Sequence, residues 1–225
     1  QRSLTRFYKD IIVLEKCFLH TTTNDIDLKA RYAYHAAQTA FILKDDNVIR
    51  KWLKHRIDIC NKPHCDLYHT LYAYSKYTDD MSYAQQAIEM FPNKVEAYYE
   101  LALLLCKKRL NNSAYLYLKY GHERCLAGNE VIRYHSYNQA MRKLLINLAL
   151  QFGEGNIACD AIHYLLHTYK CFDDPDIKNS IQICKELNVW TEPTLTTTES
   201  KTNQIEVKVN TTGRKRIVFI TGPAI

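Results

Sequence analysis

The residues Cys60-Asn61-Lys62-Pro63-His64-Cys65 place two thiols and an imidazole in one turn, which are the donor types that hold zinc. His55 and His69 flank the turn and are available to complete a tetrahedral set. No second thiol pair stands at matching distance, so these residues read more simply as the polar turn between two helices. A second group, Cys159, His163, His167 and Cys171, recurs every four residues. On one helix such positions drift by about 40° per step, so at most a pair reaches one ion without a second helix. These read as histidines at the edge of a core. Arg214-Lys215-Arg216 offers positive charge for phosphate, but three basic residues before an apolar strand read as a solvated strand entrance. Seven tyrosines, Tyr98, Tyr99, Tyr115, Tyr117, Tyr120, Tyr134 and Tyr137, are able to stack on a peptide or glycan and hydrogen-bond to it. Their plainer reading is that most fill space between helices. On this reading no catalytic, cofactor-binding or metal-binding residue is assigned, and no cofactor is expected.

The elements that would position such residues are helices. Only 6 Gly and 5 Pro punctuate 225 residues, and 47% of the chain is hydrophobic against 24% charged, a balance that supports a packed core. The net charge of +6 comes from basic residues scattered among acids, which gives a diffuse field and little reason to expect nucleic acid as a partner. The run Leu101-Ala102-Leu103-Leu104-Leu105-Cys106 is much shorter than the roughly 20 residues that span a bilayer, so no membrane partner is expected. Eight cysteines lie singly along the chain, which fits reduced thiols and a cytoplasmic location. The sequons at Asn111 and Asn210 read as chance occurrences in that setting.

Leu4, Phe7, Ile11 and Leu14 fall at helical spacing in a first helix that ends near Leu19. Further helices are predicted at about 26–43, 46–60, 64–77, 80–91, 94–107, 111–126, 138–152, 155–170 and 175–188, with an insertion over 127–137. Asp45-Asp46, Asp79-Asp80, Asn93 and Asn111-Asn112 are placed to cap helix starts. A repeat runs through these helices. Leu101-Ala102, Leu105, Ala114, Leu118 and Gly121 recur with unchanged spacing as Leu148-Ala149, Phe152, Ala161, Leu165 and Thr168. Looser copies are Leu71-Tyr72, Ser75, Ala84, Ile88 and Phe91-Pro92, and Ala36-Ala37, Ala40, Ile49, Leu53 and Arg56. Ile49 stands where the pattern wants Ala, so that pair is expected to pack less closely or at a changed angle.

This pattern of small residues between larger apolar ones resembles tetratricopeptide (TPR) repeats. It implies an all-α fold, a superhelix of antiparallel helix pairs over residues 1–189, with a concave groove. Ala36-Ala37-Gln38-Thr39-Ala40, Trp52-Leu53-Lys54-His55-Arg56 and Glu96-Ala97-Tyr98-Tyr99-Glu100-Leu101-Ala102 together resemble the TPR-like helical region that follows the catalytic domain in some family-2 glycosyltransferases. The resemblance spans roughly residues 5–170. It implies a non-catalytic scaffold within a multidomain glycosyltransferase, flanked by domains that transfer sugar from a nucleotide-sugar donor. A protein or glycan acceptor would lie in the groove. An autonomous TPR-type adaptor for protein–protein interaction is the other reading.

After Trp190 the sequence turns polar and Thr-rich, which reads as a linker over 190–213 with a short edge strand at Ile205-Glu206-Val207-Lys208-Val209. Arg216-Ile217-Val218-Phe219-Ile220-Thr221 is apolar on both faces, as in a strand buried within a parallel sheet. The stretch 214–225, with Gly222 and Pro223, resembles the first strand and loop of a two-Rossmann-domain glycosyltransferase. It is therefore expected to be the truncated start of an α/β domain. A hairpin turning at Asn210-Thr211-Thr212-Gly213 is the alternative.

Overall fold

The computed structural model describes residues 4–22, 25–59, 64–125 and 135–191. Within them the chain is all-helical. Ten helices follow one another: α1 (Leu4–His20), α2 (Ile26–Leu43), α3 (Asp46–Ile59), α4 (Cys65–Thr78), α5 (Met81–Met90), α6 (Val95–Lys107), α7 (Asn111–Cys125), α8 (His135–Gln151), α9 (Gly155–Tyr169) and α10 (Pro175–Glu186). They match the predicted spans closely, except that α8 begins at His135, inside the expected insertion. The predicted linker and strands beyond Thr191 lie outside the described residues.

Local chemistry sets most boundaries. Asp45 Oδ1 accepts from the backbone N–H groups of Asn47 and Val48, and Asp80 Oδ1 accepts from that of Ser82, so both expected caps form. Asn93 does not cap. Lys94 occupies that position, and α6 starts without a side-chain cap. Three caps have no counterpart in the sequence reading: Asp25 accepts from the N–H of Leu28, His64 accepts from that of Asp66, and Asp174 accepts from those of Asp176 and Ile177 ahead of Pro175 at the first helical turn. Where α2, α4 and α9 end, Lys44, Asp79 and Lys170 take left-handed φ of 56°, 56° and 55°, a conformation usually left to glycine.

Each helix packs on its successor. In addition α4 touches α6, α6 touches α8 and α8 touches α10. The small residues of the repeat lie at these contacts: Ala36, Ala37, Ala40, Ala84, Ala102, Ala114, Ala149 and Ala161 are all fully buried. A Cβ added at Gly121 would stand 2.8 Å from Cγ of the buried Tyr98, so the two helices approach too closely there for any side chain. Ile49 is buried as well, and α2 accommodates it by presenting five buried alanines, Ala30, Ala33, Ala36, Ala37 and Ala40. Two repeat positions are not covered: Phe152 is 40% exposed, and Thr168 faces solvent. Beyond α10 the chain folds back so that Val189 fills the space a Gly155 side chain would need and the Trp190 ring rests on His163 at 5.0 Å.

Among the described residues no helix is long and apolar enough to cross a membrane. Cys17, Cys65, Cys106, Cys159, Cys171 and Cys184 are free thiols.

Candidate functional site

The residues considered for metal binding go separate ways. Cys60, Asn61, Lys62 and Pro63 lie outside the described residues. His64 caps α4 by accepting from the backbone N–H of Asp66 and also lies beside the Asp66 carboxylate, and the thiol of the exposed Cys65 faces Lys94 Nζ at 3.6 Å. His55 packs between Phe18 and Trp52, with ring centroids at 5.1 and 5.4 Å, and burial together with the charge of Lys51 holds its pKa below the ordinary value. On α9 the buried Cys159 thiol donates to the Val189 carbonyl at 3.4 Å, His163 Nε2 donates to that of Thr191 at 2.8 Å, and His167 points to solvent. No group of three His, Cys, Asp or Glu side chains converges on a metal position among the described residues.

The tyrosines divide similarly. Tyr98 and Tyr115 are buried in the core, and Tyr98 donates its hydroxyl to the Pro92 carbonyl at 3.0 Å. Tyr99 and Tyr117 are half-buried against the core, Tyr120 is exposed beneath the Arg124 guanidinium, and Tyr134 lies outside the described residues. Tyr137 lines a cavity.

That cavity, of about 240 Å³, opens between α2, α4, α6 and α8, where Tyr34, Gln38 and Phe41 meet His69, Tyr72 and Lys76. Tyr77, Glu100 and Tyr137 complete its polar and aromatic wall. Glu100 is the feature that matters chemically. It is 3% exposed, its Oε1 accepts a hydrogen bond from the Tyr137 hydroxyl at 3.2 Å, and no ion pair to it occurs among the described residues. Burial raises its pKa above the usual carboxylate range, against the opposing pull of the Lys76 charge and the Tyr137 hydroxyl. Burial and the charge of Glu100 in turn push the Tyr137 phenol upward. Above the cavity His69 Nδ1 and the Tyr72 hydroxyl share a 2.8 Å hydrogen bond, and Tyr137 meets Tyr72 edge to face at 6.0 Å.

Sequence reasoning picked Tyr137 but missed Tyr34, Tyr72, Tyr77, Lys76 and Glu100. A signal was there. Tyr34 and His69, Phe41 and Lys76, and Thr70 and Glu100 occupy the same places in successive copies of the repeat, so the cavity collects equivalent positions from neighbouring helices.

The neighbouring interior is polar too. Arg56, 2% exposed, holds Asp66 through Nε at 3.2 Å and Nη2 at 2.8 Å. The Tyr68 hydroxyl donates to Glu96 at 3.0 Å, and Arg142 lies 3.7 Å over the Tyr164 ring. None of these groups pairs a nucleophile with a base across an open site, and each bonds instead to a partner on a packed helix. Set against known proteins, the chain matches no family model, no curated protein and no solved structure.

Proposed function

We propose that the chain is a TPR-like helical-repeat scaffold that works by binding and spacing rather than by turnover, and that it serves within a multidomain glycosyltransferase. The scaffold reading is carried by one observation: α4, α6, α8 and α10 touch in series while each also packs on the helix between, with buried alanines at matched repeat positions. A stack of this kind buries a continuous core and leaves one helix face of each pair for a partner. The cavity lies on the series that includes α4, α6 and α8.

The glycosyltransferase setting rests on the resemblance at 36–40, 52–56 and 96–102. Most of those residues are interior: Ala36, Ala37, Ala40, Trp52, Leu53, Arg56, Ala97, Tyr98, Leu101 and Ala102 are buried. They speak for a shared way of packing helices, which is why the reading assigns this segment no reacting group. In the parent polypeptide, Glu100→Gln should change acceptor or partner binding and leave hydrolysis of the nucleotide-sugar donor unaltered. Donor turnover by the present chain alone would overturn the scaffold reading. A parent polypeptide that transfers no sugar would remove the glycosyltransferase setting and leave an autonomous adaptor, which the cavity on α4, α6 and α8 supports equally well.

A further inference from the structure

We infer that the cavity between α2, α4, α6 and α8 receives a lysine side chain presented by an extended peptide segment of a partner, with Glu100 as counter-ion and the surrounding rings as walls. The inference rests on the scaffold reading and names the chemistry of its partner.

Glu100 is a carboxylate withdrawn from water into a cavity where, among the described residues, no cation is bonded to it. Among the described residues its side chain accepts one hydrogen bond, from Tyr137 to Oε1, which leaves Oε2 and most of its acceptor capacity for a ligand. Burying an ionised carboxylate without a partner is costly, and a cation placed against it recovers that cost. A neutral sugar would leave the charge uncompensated, and an anion would be repelled. The walls agree with a cation, because the aromatic side chains Tyr34, Phe41, Tyr72, Tyr77 and Tyr137 line the same space. This chain already uses that chemistry elsewhere, with Lys94 Nζ 4.7 Å from the centre of the Phe91 ring and the Arg142 guanidinium over Tyr164.

The free oxygen also selects among cations. A guanidinium fork gains most from binding both carboxylate oxygens, and Tyr137 already takes one of the two acceptor positions on Oε1, so a compact ammonium on a flexible stem that needs Oε2 alone fits better. Lys76, exposed on the cavity wall, is a native ammonium whose charge reaches Glu100. It occupies the electrostatic role that the incoming lysine would take over, and so opposes a second positive charge.

The opposition gives a test with two signs. The full chain is titrated by NMR or calorimetry with acetyl-Gly-Lys-Gly-amide, with its Arg, Ala and Glu counterparts, and with maltotriose. The lysine peptide should bind best. Glu100→Gln, which keeps shape and removes charge, should weaken it by about tenfold or more, the worth of a charge-assisted hydrogen bond. Lys76→Met should tighten it. Circular dichroism and thermal unfolding of both variants check that the fold persists. Lysine and alanine peptides binding alike, no peptide binding at millimolar concentration, unchanged affinity in Glu100→Gln, or weaker affinity in Lys76→Met would each overturn the inference. Preference for maltotriose would do the same while leaving the scaffold reading intact. That reading is tested separately by donor turnover, which these titrations do not measure.

Discussion

Gly121 offers the sharpest test of how closely the helices approach. A methyl group at this position would meet Tyr98 Cγ at 2.8 Å, Cβ at 3.1 Å and Cδ1 at 3.2 Å. The ring cannot easily yield, because it is fully buried and its hydroxyl is anchored to the Pro92 carbonyl. Gly121→Ala therefore combines two opposed effects. Replacing a mid-helix glycine with alanine stabilises by about 0.8–1.0 kcal/mol, whereas forcing an extra carbon into a packed interface costs about 1–3 kcal/mol. The net expectation is a loss of about 1 kcal/mol, read as a lower urea midpoint with unchanged m-value. The pair can be isolated by a double-mutant cycle with Tyr98→Ala. If the reasoning holds, Gly121→Ala becomes stabilising once the ring is gone, and the coupling exceeds about 0.5 kcal/mol. A gain of nearly 1 kcal/mol from Gly121→Ala in the unaltered background would refute the close approach outright.

Asp66→Ala should cost about 3 kcal/mol, since it strands a buried guanidinium; replacing Arg56 with Met and Asp66 with Leu together should recover most of that loss, measured by the same unfolding titration. Asp66 itself, which burial would raise, is held below the usual carboxylate range by Arg56 and then His64, so the pair's contribution persists above the unfolded carboxylate pKa and is lost as pH falls through the lower folded value. His122 has the opposite cause for the same direction of pH dependence. Burial and the Arg142 charge lower its pKa from 6.5 to about 4, so the unfolded chain takes up a proton first and stability falls between those values by up to roughly 3 kcal/mol. In His122→Gln that part of the acid slope should vanish, and an unaltered slope would contradict the burial of this ring. Among the described cysteines, mass-mapped thiol labelling under native conditions should modify the exposed Cys65 first and leave Cys159, whose thiol burial and Cys184 push up to about 12, among the last.

The helices were legible because this sequence keeps its apolar residues at helical spacing and separates them with short polar turns. Leu101, Ala102, Leu105, Ala114 and Leu118 announce both a helix pair and its inward faces, and all five are buried. Caps were legible at Asp45 and Asp80, but not at Asp25, His64 or Asp174, which also cap helices. Asn93 looked equivalent to Asp80, but Lys94 directly precedes α6, and no side chain accepts there. The cavity was hidden for a different reason. Its residues come from five helices, and although α2 and α4 supply most of them, Glu100 comes from α6 and Tyr137 from α8, so no local stretch carries their combined chemistry. Glu100 sits between Tyr99 and Leu101 and looks like the solvated edge of a helix. Only stacking α6 between α4 and α8 removes it from water.

Small residues explain why the helices come close, yet they do not explain why each meets its own neighbour. Alanines at the same repeat position are interchangeable, so an array held by them alone would tolerate a slipped or reordered stack. The polar partners are different at four of the junctions. Arg56 joins Asp66 across α3 and α4, Tyr68 joins Glu96 across α4 and α6, Tyr137 joins Glu100 across α8 and α6, and Asn138 donates to Tyr169 at 2.6 Å across α8 and α9. Moving any of these helices by one turn would leave a charged or strongly polar group buried without its partner, at a cost of several kcal/mol. That exceeds the fraction of a kcal/mol at stake in most exchanges between alanine-sized contacts. Polar pairs of this kind trade stability for register, as a buried asparagine does in a coiled coil. On that argument the Arg56→Met, Asp66→Leu variant should regain stability while its α3–α4 junction becomes less uniquely ordered, a pairing of outcomes that simple repacking of an apolar core would not produce.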